Sequence, residues 1–449
     1  MNAVKNRQDL TRGSLWKQIL MFSLPLIFSN LLQVVFNLAD LAVAGRFVGS
    51  LALGAVGSTV VLLSMFIGFL IGLSGGINVL TARYFGARDR QSLTETVHSA
   101  ALVSLLLGLV LMVLGLVLSK PALLLLDTKE ELLDGALLYF RICILGTPAL
   151  ALYNFGNAVF SAVGDPQRPV RYLTIAGILN VALNLFFVIV CHLNVAGVAL
   201  ASILSQYLSA FLVVGALFRT EEEYGLRRSD LRLIRPRCME ILSIGLPGGL
   251  QNCVFSVANL FTQSAINCFD AITVSGVSAS TNADIVVYDV MAAFYTACSS
   301  FMGQNYGARQ KDRVLKSYFV SLLYSFAVGA GLGLLLFFFG DTFLGMFTTD
   351  SAVVDAGMLR LRIMGLSFGI SALMDCSIAA SRALGKSLVP SVIVILGSCV
   401  FRILWIKTVF AHFQTISSLF LLYAASWLIT GIAETAYFAK TYRQTTKSL

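Results

Sequence analysis

The sequence predicts an all-α integral membrane protein with twelve transmembrane helices in two pseudo-symmetric six-helix bundles. Three observations lead to this fold class. The mean hydropathy of the 449-residue chain is +0.83 and only 12 % of its residues are charged, whereas soluble domains contain about a quarter charged residues. The chain also divides into twelve apolar runs, each long enough to cross a bilayer. Finally, the first half of the sequence recurs in the second half.

The internal repeat is clearest around two prolines. The segments ILMFSLPLIFSNLLQVVFNLADL around Pro25 and ILSIGLPGGLQNCVFSVANLFTQ around Pro247 align, and this alignment matches Asn37 with Asn259. Two further pairs of segments also match, namely 84–88 with 305–309 and 162–164 with 383–385. Their spacing along the chain is one residue shorter than the spacing of the two prolines. Two similar apolar halves are the architecture of secondary transporters, whose site lies between or inside the repeats.

The predicted spans follow one another with short polar connections. Their approximate limits are 15–40, 51–81, 94–118, 135–159, 169–190, 195–217, 239–262, 279–303, 316–339, 362–382, 388–411 and 417–439. Runs five and six are separated by little beyond His192-Leu193-Asn194, which predicts a tight helical hairpin. The polar segment 218–238 is predicted to be a cytoplasmic linker between an N-terminal lobe, 1–217, and a C-terminal lobe, 239–449.

The distribution of positive charge sets the predicted orientation. With both termini in the cytoplasm, about three quarters of the 32 Lys and Arg residues fall in cytoplasmic segments, from Lys5 and Arg7 to Lys447. A miscount of one helix would reverse the side of every later segment and remove this bias. Each half has an even number of spans, so the halves are parallel repeats with a cleft between them. We expect a multi-pass protein of the inner or plasma membrane, in contact with membrane lipids.

Composition disfavours several classes of function. The net charge of +9 is explained by the cytoplasmic cations of a membrane protein, so no nucleic-acid partner is expected. The eight cysteines are scattered without a CxxC pair and the three histidines lie far apart, which predicts no disulfide, metal centre or cofactor. The sequence lacks a GxxxxGK[ST] motif, so energy is expected from an ion gradient. The first apolar run is too long for a cleavable signal peptide.

Polar residues in the first half form one candidate site. Asp40 lies near the outer end of run one, and a charged group within a span is a functional candidate. Asn180 and Asn184 are four residues apart on one face of run five, and Ser202 on run six reaches a similar depth. A carboxylate, two amides and a hydroxyl can bind a small cation such as Na⁺ or hold an exchangeable proton. The alternative is that the asparagines only join helices by hydrogen bonds.

Run eight carries the candidate substrate site. Asp284, Tyr288 and Met291 follow an i, i+4, i+7 pattern, and Tyr295 lies one turn further along. A carboxylate among tyrosine and methionine side chains suits a soft, cationic, partly apolar ligand. Asp289 is five residues beyond Asp284, so one of the two acids is expected to face another helix.

The remaining charges within spans allow two interpretations. Asp375 on run ten is either a further substrate residue or the partner of a cation. The acids of run eight have an alternative role as ion-pair partners of Arg402 or Lys407 on run eleven. Glu240 and Glu434 lie near cytoplasmic ends of spans, where contact with solvent is a sufficient explanation.

A series of short motifs follows the same order along the whole chain. It consists of Pro25, Asn37-Leu38-Ala39-Asp40 with Gly45, Tyr84-Phe85-Gly86-Ala87, Gly164-Asp165 with Pro169, Asn180xxxAsn184 and Gly303-Gln304-Asn305-Tyr306-Gly307-Ala308. In order and spacing these motifs resemble the multidrug and toxic compound extrusion (MATE) family. The resemblance implies a cation-coupled antiporter, not an enzyme. Such a protein exports amphipathic, mostly cationic compounds in exchange for H⁺ or Na⁺ by alternating access.

The resemblance also implies a role for individual residues. Asp40 matches the family's helix-one acid, which carries the proton or sodium ion, and Ser202 stands where relatives often have threonine. Asp284 occupies a polar position common among relatives from Gram-positive bacteria. The implied coupling-ion residues are Asp40, Asn180, Asn184, Ser202, Tyr139 and Asn37.

The sequence departs from the family pattern at three positions. Asn184 replaces an aspartate of some relatives, which removes one charge from the pocket. Phe255 stands where sodium-coupled relatives carry a carboxylate, and Asp375 is about one turn from their helix-ten acid. Asp40 is therefore the favoured carrier of the coupling ion.

Three other functions are weighed against this one. A lipid-linked or polysaccharide flippase of a related superfamily is expected to have a more cationic cleft. Here the candidate cleft residues are mostly acidic, and Arg402 is the exception. A membrane-embedded enzyme is disfavoured because the sequence lacks a histidine cluster, a Ser-His pair and a metal motif. A major facilitator is disfavoured because the loop YFGARDRQSL lacks its charged signature. We expect a monomeric transporter.

Overall fold

The structure is a computed structural model that describes residues 8–447. Throughout these residues the chain forms helices and no β-strand. Eleven of the helices are long and apolar enough to cross a membrane, and one bent pair raises the number to twelve. The prediction of an all-α membrane protein is confirmed. Lys5 and Arg7, two of the predicted cytoplasmic cations, lie outside the described residues.

The helices are numbered here in chain order. Their bounds are α1 Leu15–Val43, α2 Ser50–Gly86, α3 Arg90–Leu125, α4 Glu130–Ile144, α5 Thr147–Ala162, α6 Gln167–Leu185, α7 Asn194–Phe218, α8 Arg235–Ile266, α9 Ala271–Gly307, α10 Lys311–Leu344, α11 Ser351–Ala383, α12 Leu388–Phe413 and α13 Ile416–Thr445. Helices α1 and α6 continue into π-helical turns at Ala44–Val48 and Phe186–Val190. Helix α12 contains two such turns, Ile395–Val400 and Ile406–Phe410.

The predicted fourth span is a bent pair of helices. Helix α4 ends at Ile144 and α5 begins at Thr147, with an angle of 44° between them. Gly146 separates the two helices, and Pro148 occupies the first turn of α5. Proline has no backbone N–H and is tolerated in a first turn, so the sequence favours a new helix here. The corresponding span of the second half, α11, has glycine at position 369 instead of proline and is continuous.

The described chain divides into two compact units. Residues Phe28–Cys253 belong to the first unit, together with residues 8 and 9, and Leu10–Ile27 and the residues from Val254 onward belong to the second. The division falls within α1 and within α8, in each case a few residues after the proline of the repeated segment. The predicted lobes 1–217 and 239–449 assign the opening parts of these two helices differently, and that lobe division stays a prediction.

Local backbone conformation follows the internal repeat. Arg88 has a φ of 56° and Arg309 a φ of 57°, in both cases two residues after the last residue of a helix. Gly164 and Gly385, which occupy matching positions of the two halves, have φ values of 90° and 83°. A left-handed residue commonly ends a helix, and glycine is the residue that adopts this conformation most easily. In the two Gly-Ala-Arg turns the arginine, not the glycine, takes it.

The polar segment between the halves is folded onto the first unit. Tyr224 and Leu226 are buried in the apolar core of that unit. The ring of Tyr224 lies edge-on to the rings of Phe85 and Phe160, at centroid distances of 6.4 and 6.3 Å. The backbone N–H of Arg227 donates to Nε2 of a buried histidine on α3 at 2.8 Å. The segment is therefore packed as part of the unit.

Glu240, for which solvent contact was expected, also has protein partners. Its carboxylate accepts hydrogen bonds from the Tyr84 hydroxyl at 2.7 Å and from Arg237 Nη1 at 3.1 Å. Arg237 in turn forms an ion pair of 3.1 Å with Glu95 on α3. These bonds join the start of α8 to α2 and α3 within the first unit.

Candidate functional site

The structure brings together four of the predicted coupling-ion residues in the first unit. The Ser202 hydroxyl donates to Asp40 Oδ2 at 2.7 Å, and Asn184 Nδ2 donates to Asp40 Oδ1. Asn184 Nδ2 also lies 3.3 Å from Asn180 Oδ1, and Asn180 Nδ2 donates to the Ser202 hydroxyl at 3.5 Å. We call these four residues the Asp40 pocket. Both carboxylate oxygens of Asp40 accept hydrogen bonds, which is how an ionised acid is held.

Three helices position the Asp40 pocket. Asp40 lies on α1, one turn before the π-helical turn Ala44–Val48. Asn180 and Asn184 are buried on one face of α6, and Ser202 faces them from α7. The predicted hairpin between α6 and α7 is present, with positive φ at His192 and Asn194. This tight turn sets the two polar faces at the same depth.

The pocket is rich in oxygen atoms. The carboxylate of Asp40, the amide oxygens of Asn180 and Asn184 and the hydroxyl of Ser202 are close together, and Oδ1 of Asn184 is buried without a hydrogen-bond partner. Hard cations prefer such oxygen ligands. Within residues 8–447, no group of three or more His, Cys, Asp or Glu side chains is arranged around a common metal position.

Two further residues of the implied site, Tyr139 on α4 and Asn37 on α1, differ in their burial. Tyr139 is buried beside Cys143, interacts electrostatically with Asp40 and packs in an apolar cluster with Val43 and Val198. Asn37 lies three residues before Asp40 on α1, and its side chain is exposed. Tyr139 is therefore a buried neighbour that senses the charge of Asp40, whereas Asn37 is exposed.

In the second unit, Asp284 has a cationic partner that sequence reasoning missed. Both carboxylate oxygens of Asp284 accept hydrogen bonds from Arg360 on α11, one of them at 3.1 Å. Arg360 is only 2 % exposed, donates to Ser280 and lies over the ring of Phe420 at 4.7 Å. Arg360 lies two residues before the predicted limits of run ten, 362–382, whereas α11 already starts at Ser351 and buries it. The charge of Asp284 is compensated by this pair.

Tyr288 and Met291 are packed in an apolar core. The ring of Tyr288 lies edge-on to Phe368 at 6.1 Å and to Trp427 at 5.7 Å. Met291 is completely buried in the same cluster. Tyr295 packs against a neighbouring cluster that includes Cys298. The i, i+4, i+7 pattern of α9 therefore faces other helices of the second unit.

Two further acids of the second unit, Asp375 and Glu434, lie near the partly buried Arg382. Asp289 and Asp375 are half-buried, and Oδ2 of Asp375 has no hydrogen-bond partner. Arg382 interacts electrostatically with Asp375 and Glu434, and its Nη2 donates to Ser391 at 3.2 Å. Glu434 is 0 % exposed, so the expectation that solvent surrounds it is wrong. Helix α13, which carries Glu434, packs on α11, which carries Arg382. This packing brings the Glu434 carboxylate near the Arg382 guanidinium.

Arg402 is buried apart from these acids. Its Nη1 donates to Asn259 Oδ1 at 3.3 Å, and its guanidinium carbon lies 4.4 Å from the ring centroid of Tyr423 and 5.3 Å from that of Phe255. The predicted alternative, an ion pair between Arg402 and an acid of α9, is absent from the described residues. Lys407, the other predicted cation on α12, is exposed.

Comparison with known proteins shows matches over most of the chain. The family model MatE matches twice, over residues 25–186 and 247–407. A probable multidrug resistance protein YpnP of Bacillus subtilis is 29 % identical over 398 residues, which cover 86 % of this chain and 87 % of the relative. A protein of Shewanella oneidensis described as an FAD transporter is 24 % identical over 435 residues, 96 % of each chain.

Solved structures share the fold. A multidrug resistance MATE family transporter of the MOP superfamily, in an outward-facing conformation, superposes with a TM-score of 0.90 at 22 % identity and covers 100 % of both chains. A MOP superfamily transporter of Pyrococcus furiosus, described as having a binding pocket of reverse polarity, superposes with a TM-score of 0.90 at 21 % identity over 99 % of both chains. The two matches of the family model coincide with the two sequence repeats, and together they cover well over half of the chain. The chain therefore belongs to the MATE family, a family of multidrug efflux transporters and not of enzymes.

Proposed function

We propose that the protein is a secondary active antiporter that exports amphipathic compounds in exchange for H⁺ or Na⁺, with Asp40 carrying the coupling ion. One observation carries the proposal. Asp40 lies within a membrane span, and its two carboxylate oxygens accept hydrogen bonds from Asn184 and Ser202. A charged group at this place is costly unless it is compensated. An ion that binds and leaves can supply the rest of the compensation.

Protonation of Asp40 changes the hydrogen bonds that hold α1. Protonation turns one carboxyl oxygen into a hydrogen-bond donor and weakens it as an acceptor, so this oxygen needs a partner that accepts. The hydroxyl of Ser202 can rotate to accept this proton, whereas the amide nitrogen of Asn184 cannot. The occupancy of Asp40 therefore alters the contact of α1 with α6 and α7. Helix α1 also contains Pro25, whose missing N–H makes bending of the helix easier.

A sodium ion would use the same pocket in a different way. The ion would take the Asp40 carboxylate, the Ser202 hydroxyl and the amide oxygens of Asn180 and Asn184. The buried Oδ1 of Asn184 accepts no hydrogen bond, and so it is available as a ligand. Either ion would therefore bind at Asp40, but only a sodium ion would also need the amide oxygens of the two asparagines as ligands.

The exported compounds are proposed to be amphipathic and mostly cationic. The relatives named as multidrug resistance proteins support a broad range of cargo. Asp289 and Asp375 supply negative charge in the second unit, while Asp284 contributes little because Arg360 compensates it. We further propose that a single chain suffices and that both termini lie in the cytoplasm of a plasma or inner membrane.

The test is transport by the purified protein in lipid vesicles. Efflux of a cationic dye such as ethidium is measured under an imposed pH gradient and, separately, under an imposed Na⁺ gradient. One of the gradients is expected to accelerate efflux by the wild-type protein, and Asp40→Asn is expected to remove this acceleration. Asp134→Asn is the matched control, because Asp134 is an exposed acid on α4 of the same unit. Acceleration of Asp40→Asn equal to that of wild type would refute the assignment of Asp40.

A further inference from the structure

Arg402 is a buried cation with few partners. Its side chain is 3 % exposed, and its Nε has no hydrogen-bond partner. The only polar side chain bonded to it in the described part of the chain is Asn259. Two other arginines of the second unit differ, because the buried Arg360 pairs with Asp284 and the partly buried Arg382 lies near Glu434. A guanidinium within a span needs compensation, and aromatic rings with one amide supply only part of it.

The internal repeat relates the surroundings of Arg402 to the Asp40 pocket. Asn259 corresponds to Asn37 in the alignment of the two proline segments, and Tyr423 corresponds to Ser202 at the spacing of the later motifs. The second-half counterpart of Asp40 itself, in the same alignment as Asn259, is the buried Thr262.

The second half thus builds the equivalent place from α8, α12 and α13, as the first half builds it from α1, α6 and α7. In the first half this place holds an acid, and in the second half it holds a base. The repeated scaffold therefore carries two polar positions of opposite charge.

The neighbours of Arg402 are suited to a planar, partly apolar molecule. The ring of Tyr423 is stacked on Phe420, at an interplanar angle of 14°, and lies edge-on to Trp427 at 5.5 Å. Tyr288 belongs to the same aromatic group and interacts electrostatically with Arg402. The group combines one cation with several ring faces.

Arg402 lies just beneath the surface of the second unit. Asn259, which holds its Nη1, is exposed, and the rings of Tyr423 and Phe255 are half-buried. A ligand that displaces the amide oxygen of Asn259 reaches the guanidinium directly. Guanidinium groups bind carboxylates and similar oxyanions through two parallel hydrogen bonds, which an amide oxygen cannot match.

We propose that Arg402, with Asn259, Tyr423 and Phe255, binds the anionic group of an amphipathic aromatic acid. This site goes beyond the proposed export of cationic compounds, since it accepts cargo of the opposite charge. The acid group binds Arg402 in place of Asn259, and the aromatic part of the molecule packs on the tyrosine and phenylalanine rings.

The test measures equilibrium binding to the purified protein in nanodiscs of phosphatidylcholine, without an ion gradient. The probes are pyrenebutyrate, an aromatic carboxylate, and pyrenebutanol, its uncharged analogue. We expect wild type to bind the carboxylate more tightly, and Arg402→Gln to weaken only that probe, by roughly tenfold or more. Arg402→Lys keeps the charge and should fall between the two. Equal affinity of wild type for both probes, or an unchanged affinity of Arg402→Gln for pyrenebutyrate, would overturn the proposal.

Two controls keep the result interpretable. Lys407→Gln removes an exposed cation from the same helix and should change the affinity for pyrenebutyrate by less than about twofold. If Arg402→Gln does not fold, the preference of wild type for the carboxylate and the effect of Arg402→Lys still decide the question. Nanodiscs with phosphatidylglycerol distinguish a lipid phosphate from an organic acid as the bound anion. If this lipid abolishes the binding of pyrenebutyrate and soluble naphthoate does not compete with pyrenebutyrate, the site holds a lipid phosphate. In that case the assignment of an organic acid is wrong. Because no gradient is used, failure here is separate from failure of ion coupling at Asp40.

Discussion

At the scale of single residues, the partner of each buried charge decides its role. Asp40 has only neutral donors around it, whereas Asp284 has a guanidinium. An acid with neutral partners can exchange an ion at a moderate cost in free energy, because no buried cation loses its compensating charge when the acid is neutralised. An acid in an ion pair cannot, since loss of its charge leaves a buried cation uncompensated. These partners support the proposed exchange of an ion at Asp40 and indicate a structural role for Asp284.

The first prediction concerns this ion pair. Arg360→Met leaves the Asp284 carboxylate buried without its partner, and we expect it to destabilise the protein by about 3–5 kcal/mol. The double variant with Asp284→Asn should recover a large part of this loss. The measurement is thermal unfolding in detergent by intrinsic fluorescence. Arg362→Met, which removes an exposed arginine from the same helix, serves as the control and should change the midpoint little.

The second prediction concerns the N-cap of α3. Asp89 Oδ1 accepts from the backbone N–H of Ser92 at 3.0 Å, and hydrogen bonds from the Ser92 side chain and backbone lower the pKa of Asp89 below its ordinary value of 3.8. We expect Asp89→Ala to cost about 1 kcal/mol, and Asp89→Asn, which keeps a capping oxygen, to cost less. Because the pKa is lowered in the folded state, the contribution of the charge is complete above pH 3.8 and disappears as the pH falls through the folded value.

The measurement for Asp89 is the unfolding midpoint of wild type and Asp89→Asn as a function of pH. The difference between them should be constant near neutral pH and shrink in acid. A difference that grows as the pH falls would show that the carboxylate is not stabilised in its ionised form.

At the scale of elements, glycines decide how closely two helices approach. Helix α2 crosses the opening part of α8 within the first unit, where Gly72 faces Gly248 and Gly249, and Gly76 faces Gly245. The Asn252 side chain donates to the Gly68 carbonyl at 2.8 Å on the same face. Small residues permit this close packing, which is a common way to join helices in lipid. The repeated Pro247 segment is therefore held against α2 by backbone contact.

The third prediction tests this crossing. A Cβ atom at position 72 would lie 2.3 Å from the backbone nitrogen of Gly249, so Gly72→Ala should separate the helices and lower the unfolding midpoint. Gly75→Ala is the matched control on the same helix, because nothing lies within 4 Å of its Cβ position. Alanine favours helix over glycine by roughly 1 kcal/mol, so the control should be neutral or stabilising. Equal midpoints for the two variants would contradict the close approach.

At the scale of the whole molecule, the proposed cytoplasmic position of both termini predicts the side of the membrane on which every loop lies. Each half has an even number of spans when α4 and α5 count as one. With both termini in the cytoplasm, the hairpin after α6 and the turn after α8 are predicted to lie on the outer side, and the segment before α8 on the inner side. The native cysteines mark both sides: Cys191 and Cys268 are exposed in the first two places, and Cys238 is partly exposed in the third.

The fourth prediction follows from this orientation. A membrane-impermeant maleimide added to intact cells should label Cys191 and Cys268, and it should label Cys238 only after permeabilisation. Each cysteine is examined in a variant in which the other exposed or partly exposed cysteines are replaced by serine. Labelling of Cys238 in intact cells together with protection of Cys191 would reverse the proposed orientation.

The sequence by itself determined the number of spans, the internal repeat, the hairpin of α6 with α7 and the residues that gather at Asp40. These features depend on local patterns: apolar runs of membrane length, recurring motifs, and two asparagines four residues apart on one helix face. Gly146 and Pro148 also indicate the break between α4 and α5, but the apolar run continues through both residues, so it predicts a single span.

Only the tertiary structure decided which buried charges meet. Arg360 faces Asp284, Glu434 is enclosed near Arg382, and Arg402 lies among aromatic rings without an acid. Such pairings depend on the rotation and depth of helices that are distant in the sequence. Helical periodicity defines the face of one helix, but it does not state which other helix covers that face.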